Sequence, residues 1–305
     1  MSQNRNLHKA KRAKKDEFYT QLADIENELR HYRDHFRRKA IYCNCDDPTV
    51  SNFYRYFQLN FEFLSLKRLI TTCYKSKQVD MFSQHDAERA IGVEYTGAEP
   101  KVFHLEGDGD FRSAECVELL KQADIVVTNP PFSLFREYLA QLMKYDKQFL
   151  IIGNMNATIY KEIFPLIKGE NIWLGLNRGV MEFRSPQNRP HKMGNARWFT
   201  NLDYRQRHEG LILFKKYSPE EYPKYDNYDA INVDKTSEIP MDYDGAMGVP
   251  ISFLDKHNPE QFELLGIMNT GEKNIGIRRP NTLHGRPIIN GKEKYLRVLI
   301  RHKKV

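Results

Sequence analysis

Short apolar segments alternate with amphipathic helical patterns between residues 40 and 176, and this alternation constrains the fold more than any other feature of the chain. Most of these segments are apolar on both faces, which is typical of strands in a parallel sheet with helices on either side. We therefore predict an α/β fold, with residues 75–100 polar and irregular. Strands are expected at 41–45, 69–74, 102–105, 125–128, 149–152 and 172–174, and helices at 16–38, 51–60, 113–121, 133–145 and 159–167.

The four residues Asn129-Pro130-Pro131-Phe132 form a turn between the predicted strand at 125–128 and the helix at 133–145. A following proline favours an extended Asn129, and the second proline fixes its own φ at about −65°. The peptide carbonyls and the Asn129 side-chain oxygen can then converge on one point. Two acceptors that bind both hydrogens of an exocyclic amine localise its lone pair and make it more nucleophilic. The alternative, an ordinary turn, is disfavoured by the position between an apolar strand and an amphipathic helix.

Phe132 adds an aromatic surface on which a base can stack, a contact worth about 1–3 kcal/mol. An amine inside a duplex cannot reach such a turn, so the base must rotate out of the stack at a cost of a few kcal/mol. With a sulfonium methyl donor in line, direct displacement needs no covalent enzyme intermediate. The turn therefore predicts alkylation of an exocyclic amino group, such as N6 of adenine.

Three polar residues, Asp46, Asp110 and Asn129, follow predicted strands, and ligands in such folds bind beyond the carboxyl ends of the strands. The alternative for Asp46 and Asp47, which precede a proline, is a plain turn or helix start. Asp108 and Asp110 lie in a glycine-rich turn but lack the further ligands of a calcium loop, so we expect no metal. The spacings of the four cysteines match no zinc site, which favours reduced, buried thiols.

The net charge of +7 comes from the two ends of the chain. Residues 1–39 carry 11 Lys and Arg against 6 Asp and Glu, and residues 268–305 carry 10 against 2. Because Lys and Arg dominate non-specific affinity for nucleic acids, this pattern favours a polyanionic partner. A solubilising surface charge is the alternative. Residues 1–15 are basic without any acid, and we expect a flexible arm there.

No apolar run is long enough for a membrane span, and the basic N-terminus lacks the apolar region of a secretion signal. We therefore expect a cytoplasmic protein with no membrane partner.

The pattern changes from about residue 177. Residues 177–192 are predicted to be a loop, followed by strands at 197–201 and 210–214. Residues 295–301 alternate apolar and basic side chains, as in a half-buried edge strand. Trp198 and Phe199 are expected in the core rather than against a base.

The chain resembles the EcoRI-type adenine-N6 DNA methyltransferases. Asn129-Pro130-Pro131-Phe132 is similar to the (Asp/Asn/Ser)-Pro-Pro-(Tyr/Phe/Trp) tetrad of amino-group methyltransferases that use S-adenosylmethionine. The wider resemblance covers most of residues 8–301. Its segments are Asp16-Glu17-Phe18-Tyr19-Thr20, Tyr42-Cys43-Asn44-Cys45-Asp46-Asp47-Pro48, Gly107-Asp108-Gly109-Asp110-Phe111-Arg112, Trp198-Phe199-Thr200-Asn201-Leu202, Tyr222-Pro223-Lys224-Tyr225-Asp226-Asn227-Tyr228-Asp229, Gly248-Val249-Pro250 and Phe253-Leu254-Asp255.

The resemblance implies a Rossmann-like methyltransferase sheet with a smaller, irregular DNA-recognition region. It also implies three parts: a flexible arm at 1–15, a cofactor-binding and catalytic core at 16–176, and recognition elements with C-terminal strands at 177–305. The implied catalytic residues are Asn129, Pro130, Pro131 and Phe132. Those implied to bind S-adenosylmethionine are Tyr19, Thr20, Asn44, Cys45, Asp46, Asp47, Pro48, Asp110 and Phe111, with Asp110 accepting from the cofactor adenine.

Two departures from the family pattern concern the cofactor. The loop from Asp47 to Phe53 lacks both usual glycines, and Cys73-Tyr74-Lys75 stands where an acidic residue usually holds the ribose.

The expected partner is double-stranded DNA, and a cognate restriction endonuclease would act on the same site without contact. Arginine pairs bidentately with guanine or phosphate, which motivates the choice of basic residues. The candidates for DNA contact are Lys11, Arg12, Lys14, Arg178, Arg184 and Arg189. The alternatives are a methyltransferase for rRNA adenine or protein glutamine with the same tetrad, and a non-catalytic nucleic-acid-binding protein.

Overall fold

The computed structural model describes residues 19–45, 47–48, 50–74, 90–184, 190–268 and 285–303. The chain divides into two compact units, Met1–Ala157 with Leu174–Asp203, and Thr158–Trp173 with Tyr204–Val305. The unit boundaries do not coincide with residue 177, where the sequence changes character. A functional division at 177 stays a prediction.

The secondary structure follows the predicted alternation through the first part of the chain. In chain order the elements are β1 (Tyr19–Thr20), α1 (Leu22–Leu29), α2 (Arg33–Phe36), β2 (Ala40–Asn44), α3 (Asn52–Leu59), β3 (Arg68–Thr72), β4 (Ile91–Tyr95), β5 (Lys101–His104), α4 (Ala114–Gln122), β6 (Ile125–Thr128), α5 (Phe135–Lys144), β7 (Gln148–Asn154), α6 (Phe164–Lys168), β8 (Trp173–Leu174), β9 (Met181–Arg184), β10 (Pro190–Met193), β11 (Ala196–Thr200), β12 (Ala230–Asn232), β13 (Ala246–Pro250), β14 (Phe262–Ile267), β15 (Ile288–Ile289), β16 (Lys292–Glu293) and β17 (Arg297–His302). Short 3₁₀ turns cover Arg30–Tyr32, Phe132–Leu134, Met155–Ile159, Arg205–His208, Thr236–Glu238 and Ile251–Lys256.

A large mixed sheet forms the centre of the first unit, with the order β5-β4-β3-β2-β6-β7-β11 and Leu174 of β8 at its end. Strands β3, β2, β6 and β7 are parallel, as predicted. The predicted parallel sheet is extended at both edges by strands that the prediction did not orient, because β4, β5 and β11 run antiparallel to their neighbours. Strand β4 also lies within the segment predicted to be irregular. The result is a mixed α/β fold, consistent with a methyltransferase.

Local capping determines where the helices of the first unit begin. The Ser51 hydroxyl accepts from the Phe53 and Tyr54 amides at the start of α3, and Ser113 accepts from Cys116 at the start of α4. The predicted helix at 16–38 is wrong at its start, because Tyr19–Thr20 form a strand and α1 begins at Leu22. The predicted helix at 159–167 is reduced to α6, which begins at Phe164.

A second sheet of the first unit has the order β1-β9-β10, with both pairings antiparallel. The prediction of a loop at 177–192 is therefore wrong for Met181–Arg184 and Pro190–Met193. The two prolines in this stretch suggested a loop, but Pro190 is the first residue of β10, where a proline is tolerated. Trp198 and Phe199 of β11 are buried, as predicted for core residues.

The second unit contains a four-stranded sheet with the order β12-β13-β17-β14. Strand β17 was predicted at an edge but lies between β13 and β14, and its residues 298–300 are all buried. The strand predicted at 210–214 is wrong: this segment pairs with no sheet, and Ile212 is 90% exposed. Among the described residues, no helix is both long and apolar enough to cross a membrane.

Candidate active site

The carboxyl ends of β2 and β6 lie side by side, because these neighbouring strands are parallel with Tyr42 opposite Val126. The Thr128 hydroxyl donates to the backbone carbonyl of Asn44, and the Tyr138 phenol donates to Asn44 Oδ1. Asn44 is 2% exposed, so its side chain is held in one orientation at the end of β2. Of the residues predicted at this edge, Asn129 directly follows Thr128 at the end of β6, whereas Asp46 lies outside the described residues.

The predicted order of strand, turn and helix around Asn129-Pro130-Pro131-Phe132 is confirmed. The turn follows β6 directly, and Phe132 begins the 3₁₀ turn that leads into α5. The Asn129 side-chain oxygen and Pro130 are buried, and Pro131 has a φ of −55°. Phe132 is half-buried, and its ring meets the buried ring of Phe183 edge-on, with centroids 6.5 Å apart. The turn is thus rigid and has an aromatic neighbour on β9.

The loop after β2 compensates for its lack of glycine. Cys45 adopts a left-handed conformation with a φ of 73°, which is uncommon for a residue other than glycine. The Ser51 amide donates to the Asp47 carbonyl over 2.7 Å, which closes the loop just before α3. Pro48 lies within this loop, and Asp46 lies outside the described residues.

Tyr19 and Thr20 form strand β1, which pairs with β9 so that Tyr19 lies opposite Arg184. The Thr20 carbonyl accepts from the Asn52 side chain over 2.7 Å, which places β1 beside the first turn of α3. The Thr20 hydroxyl is buried, and no described residue hydrogen-bonds to it. A buried hydroxyl without a protein partner indicates a position for a ligand or an ordered water.

The Gly-Asp-Gly-Asp turn packs closely on the end of β3. Gly109 has a φ of 76°, and a Cβ there would lie 2.0 Å from the Cys73 carbonyl oxygen. Only glycine fits this approach. The turn therefore places Asp110 and Phe111 beside the end of β3.

The Asp110 carboxylate is held by a fork from Arg112. Oδ1 accepts from the Arg112 amide over 2.8 Å and from Nε over 2.9 Å, and Oδ2 accepts from Nη2 over 2.6 Å. Burial raises the pKa of Asp110, but the hydrogen bonds and charge of Arg112 outweigh it, so the pKa is lowered from 3.8. Asp110 is therefore an ionised acceptor at neutral pH.

Of the candidates for DNA contact, Arg178 and Arg184 lie among the described residues. Arg184 is exposed at the end of β9, and Arg178 is exposed on the rim of a cavity of about 110 Å³ that Trp198 and Asp24 also line. Contact of either arginine with DNA stays a prediction. Lys11, Arg12, Lys14 and Arg189 lie outside the described residues. No cluster of three or more His, Cys, Asp or Glu side chains suited to a metal occurs in the described part of the chain.

Several residues at the site were missed by sequence reasoning. Tyr138 holds Asn44, and Arg112 holds Asp110. Phe183 contacts the ring of Phe132. Tyr138 is on the buried face of an amphipathic helix, so its pattern indicated only packing. Arg112 was more accessible to prediction, since it follows Asp110 by two residues and could form a local ion pair.

Glu28 was also missed, although it is fully buried at the base of the β9 strand. Its carboxylate accepts from the Tyr32 phenol, from the Leu176 and Asn177 amides, and from the Asn177 side chain, over 2.8–2.9 Å. Burial raises the pKa of Glu28, and these hydrogen bonds offset only part of that rise.

A mixed α/β sheet with an Asn-Pro-Pro-Phe turn at its carboxyl edge defines the class of amino-group methyltransferases. The family "Adenine-specific methyltransferase EcoRI" matches residues 6–303. The chain belongs to this family and is an adenine-specific methyltransferase.

Three curated relatives are similar over nearly their whole length. Type II methyltransferase M.EcoRI of Escherichia coli is 51% identical, covering 99% of this chain and 98% of the relative. M.MgeORF184P of Mycoplasma genitalium is 36% identical, covering 98% and 99%, and M.MpnI of Mycoplasma pneumoniae is 37% identical, covering 97% and 98%. No solved structure matches the chain.

Proposed function

We propose that this methyltransferase modifies N6 of an adenine that is flipped out of duplex DNA at a specific site, with S-adenosylmethionine as the methyl donor. The observation that carries the proposal is the rigid Asn129-Pro130-Pro131-Phe132 turn at the carboxyl edge of the parallel strands. The type II names of the relatives support DNA as the substrate. Adenine specificity of the family argues against protein glutamine.

The residues of this edge fit S-adenosylmethionine. Thr20 offers a buried hydroxyl that no described residue bonds, and the close approach of Gly109 to the Cys73 carbonyl oxygen places the Asp110 loop at the end of β3. Asp110 is ionised and suited to accept from an adenine amino group, beside the aromatic ring of Phe111. We propose that Tyr19, Asn44, Cys45, Asp46, Asp47 and Pro48 complete this pocket, in a Rossmann-like arrangement. When bound, S-adenosylmethionine supplies an electrophilic sulfonium methyl group.

The chain's own contribution to catalysis is to hold and polarise the target amine. The Asn129 side-chain oxygen and the Pro130 carbonyl accept the two N6 hydrogens, which localises the nitrogen lone pair as positive charge develops there. Because the turn is fixed between β6 and α5, these acceptors need little reorganisation. Phe132 stacks on the flipped base and offsets part of the cost of unstacking it.

We also propose that exposed basic residues of the β9-β10 region and the N-terminal arm contact DNA. Arg178 and Arg184 are exposed in the first unit, and strand β9 carries both Arg184 and the Phe183 that meets Phe132. Strand β9 therefore links a residue proposed to contact DNA with the ring proposed to stack on the flipped base. A cognate endonuclease acting on the same site in the bacterial cytoplasm, near the nucleoid, would complete a restriction-modification pair.

The replacement Asn129→Ala tests the catalytic assignment. We expect tritiated methyl transfer to duplex DNA to fall at least about 100-fold, because an acceptor for the developing charge is lost. Binding of S-adenosylhomocysteine, measured by calorimetry, should stay within about twofold. The exposed Asn171→Ala is the matched control and should keep full activity. Wild-type turnover by Asn129→Ala would refute the role of this residue.

The substrate class is tested with the wild-type protein. Tritiated methyl transfer is compared on duplex DNA, rRNA and protein, and methylated adenines are sequenced in DNA from cells that express the chain. Methyl incorporation into RNA or protein in place of DNA would refute the proposal.

A further inference from the structure

Helix α5 begins directly after the catalytic turn and contacts the proposed cofactor pocket along its first two turns. The residues that make these contacts are Glu137, Tyr138 and Gln141, and Gln141 neighbours both of the others because it lies four residues after Glu137 and three after Tyr138. Tyr138 bonds to the end of β2, and Glu137 and Gln141 bond to the loop that contains Asp110. The helix therefore connects the Asn-Pro-Pro-Phe turn with loops that follow other strands.

Tyr138 makes the most buried of these connections. Its phenol donates to Asn44 Oδ1, and its ring meets Phe111 edge-on with centroids 5.0 Å apart. Tyr138 is 1% exposed and Asn44 2%, so water does not compete for this hydrogen bond. One side chain of α5 thus orients both the end of β2 and the aromatic residue after Asp110.

The other two residues of α5 fix the Asp110 loop. Gln141 donates to the Phe111 carbonyl over 2.9 Å, and Glu137 accepts from Arg112 Nη1 over 2.9 Å. Arg112 in turn occupies two acceptor positions of Asp110 Oδ1 and one of Oδ2. Since a carboxylate oxygen accepts two hydrogen bonds, the fork leaves Oδ2 as the oxygen available to a ligand.

We propose that α5 couples the methyl-donor pocket to the catalytic turn, with Tyr138 and Arg112 as positioning residues that set Asn44 and Asp110. This inference rests on the proposed function. A donor that contacts Asn44, Phe111 and Asp110 reinforces the hydrogen bonds that hold α5, and it favours the same arrangement of the turn that captures the base. By linkage, base capture at the turn then tightens donor binding by the same factor.

The test replaces Tyr138 by Phe, which removes only the hydroxyl. The matched control is Tyr145→Phe at the end of the same helix, whose ring contacts the Lys144 ammonium at 5.3 Å, a contact that Phe retains. The dissociation constant of S-adenosylhomocysteine is measured by calorimetry without and with duplex DNA that carries the methylation site. This ligand has no methyl group to transfer, so the complex does not turn over.

We expect DNA to tighten binding of S-adenosylhomocysteine to the wild type and to Tyr145→Phe. In Tyr138→Phe, the binding of S-adenosylhomocysteine without DNA should weaken roughly 3- to 10-fold, which corresponds to the net loss of one hydrogen bond. The factor by which DNA tightens this binding should fall toward one. A wild type whose affinity is unaffected by DNA would overturn the proposal. So would a Tyr138→Phe variant equal to the control in both measurements.

Arg112 gives a second test that does not involve a buried residue, since 46% of its side chain is exposed. Arg112→Lys keeps the charge but loses the fork, so we expect it to raise the KM for S-adenosylmethionine as much as Arg112→Ala, with little change in kcat. If Arg112→Lys has the KM of the wild type, positive charge at this position is sufficient. That result would contradict the role of Arg112 in positioning Asp110.

The Asn129→Ala experiment separates this inference from the proposed function. If Asn129→Ala loses methyl transfer while Tyr138→Phe and Arg112→Lys behave as wild type, the coupling is refuted and the proposed function stands. If Asn129→Ala keeps wild-type turnover, the catalytic role of Asn129 in the proposed function is refuted, whatever Tyr138→Phe and Arg112→Lys show.

Discussion

The carboxyl edge of the large sheet and the β9-β10 hairpin differ in how their polar side chains are held. At the edge, Asn44 and Asp110 are each fixed by a partner on a different element or in the same turn. On the hairpin, Arg184, His191 and Lys192 are exposed, and the Lys192 ammonium lies 3.8 Å from Glu182 in a solvent-accessible pair. The edge is preorganised, whereas the hairpin presents charge to solvent.

This difference matches the two tasks of the enzyme. Methyl transfer needs acceptors that do not move as charge develops, so they are held in a rigid turn before the substrate arrives. Contact with DNA phosphates needs accessible cations whose counterions can be released. Replacements at the edge should therefore cost more than replacements on the hairpin.

The largest effect is expected at Glu28, which anchors the chain just before β9. Glu28→Ala leaves the Tyr32 phenol, the Leu176 and Asn177 amides and the Asn177 side chain without their acceptor. Each buried unsatisfied donor costs about 1–3 kcal/mol, and we expect a loss of about 3 kcal/mol or more in the free energy of unfolding. Chemical denaturation measures it, with the exposed Glu26→Ala as control. If Glu28→Ala lowers the free energy of unfolding no more than Glu26→Ala does, the hydrogen bonds of Glu28 do not stabilise the segment before β9.

The pH dependence of stability sharpens this prediction. Burial raises the pKa of Glu28 above its ordinary value of 4.5. A raised pKa means that the folded state binds the proton more tightly, so this stabilisation is complete below about 4.5 and is lost as pH rises through the folded value. The stability of the wild type relative to the non-titrating Glu28→Gln should therefore decrease from pH 4.5 upward. If the stability of the wild type relative to Glu28→Gln instead increases with pH, the hydrogen bonds lower the pKa of Glu28 by more than burial raises it.

The next effect is expected at Gly109, where the edge is packed most closely. Gly109→Ala places a Cβ 2.0 Å from the Cys73 carbonyl oxygen at a φ of 76°. Left-handed strain alone costs about 1–3 kcal/mol, so S-adenosylhomocysteine binding should weaken by about 10-fold or more. Gly107→Ala is the control, because nothing lies within 4 Å of its added Cβ. Equal calorimetric affinities for both variants would mean that the turn does not shape the donor pocket.

Local patterns predicted the part of the fold in which strand, turn and helix are consecutive. The segment from Ile125 to Lys144 was correct because its periodicity and its prolines act on neighbouring residues. Strand β17 was placed at an edge in error, since its neighbours β13 and β14 are chosen by packing of distant segments. The antiparallel edges of the large sheet were missed for the same reason.

The site shows the same division. The Asn-Pro-Pro-Phe turn and the Asp110 loop are visible as contiguous motifs, so the sequence indicated them. The hydrogen bond from Tyr138 to Asn44 joins residues on separate elements, and Tyr138 alone looks like an ordinary core aromatic. The resemblance to a family carried the assignment of cofactor residues, because no periodicity distinguishes Thr20 from any other strand threonine.

Phe132 lies between the two regions, since its own turn belongs to the edge and its ring meets Phe183 of the hairpin. Phe132→Ala should weaken capture of the flipped base by about 5- to 100-fold, the equivalent of about 1–3 kcal/mol of stacking. Fluorescence of 2-aminopurine at the target position reports capture, and Phe132→Tyr should restore it. Undiminished capture by the Ala variant would mean that the base stacks elsewhere.

The smallest effect is expected at Arg184, which is exposed at the end of β9. Arg184→Ala should weaken DNA binding less than about 10-fold at low salt and reduce the slope of log affinity against log salt by about one, because one phosphate contact is lost. The exposed Lys101→Ala on β5, an edge strand of the large sheet, carries the same charge change and should leave the slope unchanged. Methyl transfer at saturating DNA should be equal in both variants, since neither residue is part of the fixed edge. A fall in kcat for Arg184→Ala alone would show that the hairpin also helps to hold Phe132, and the two regions would then act as one.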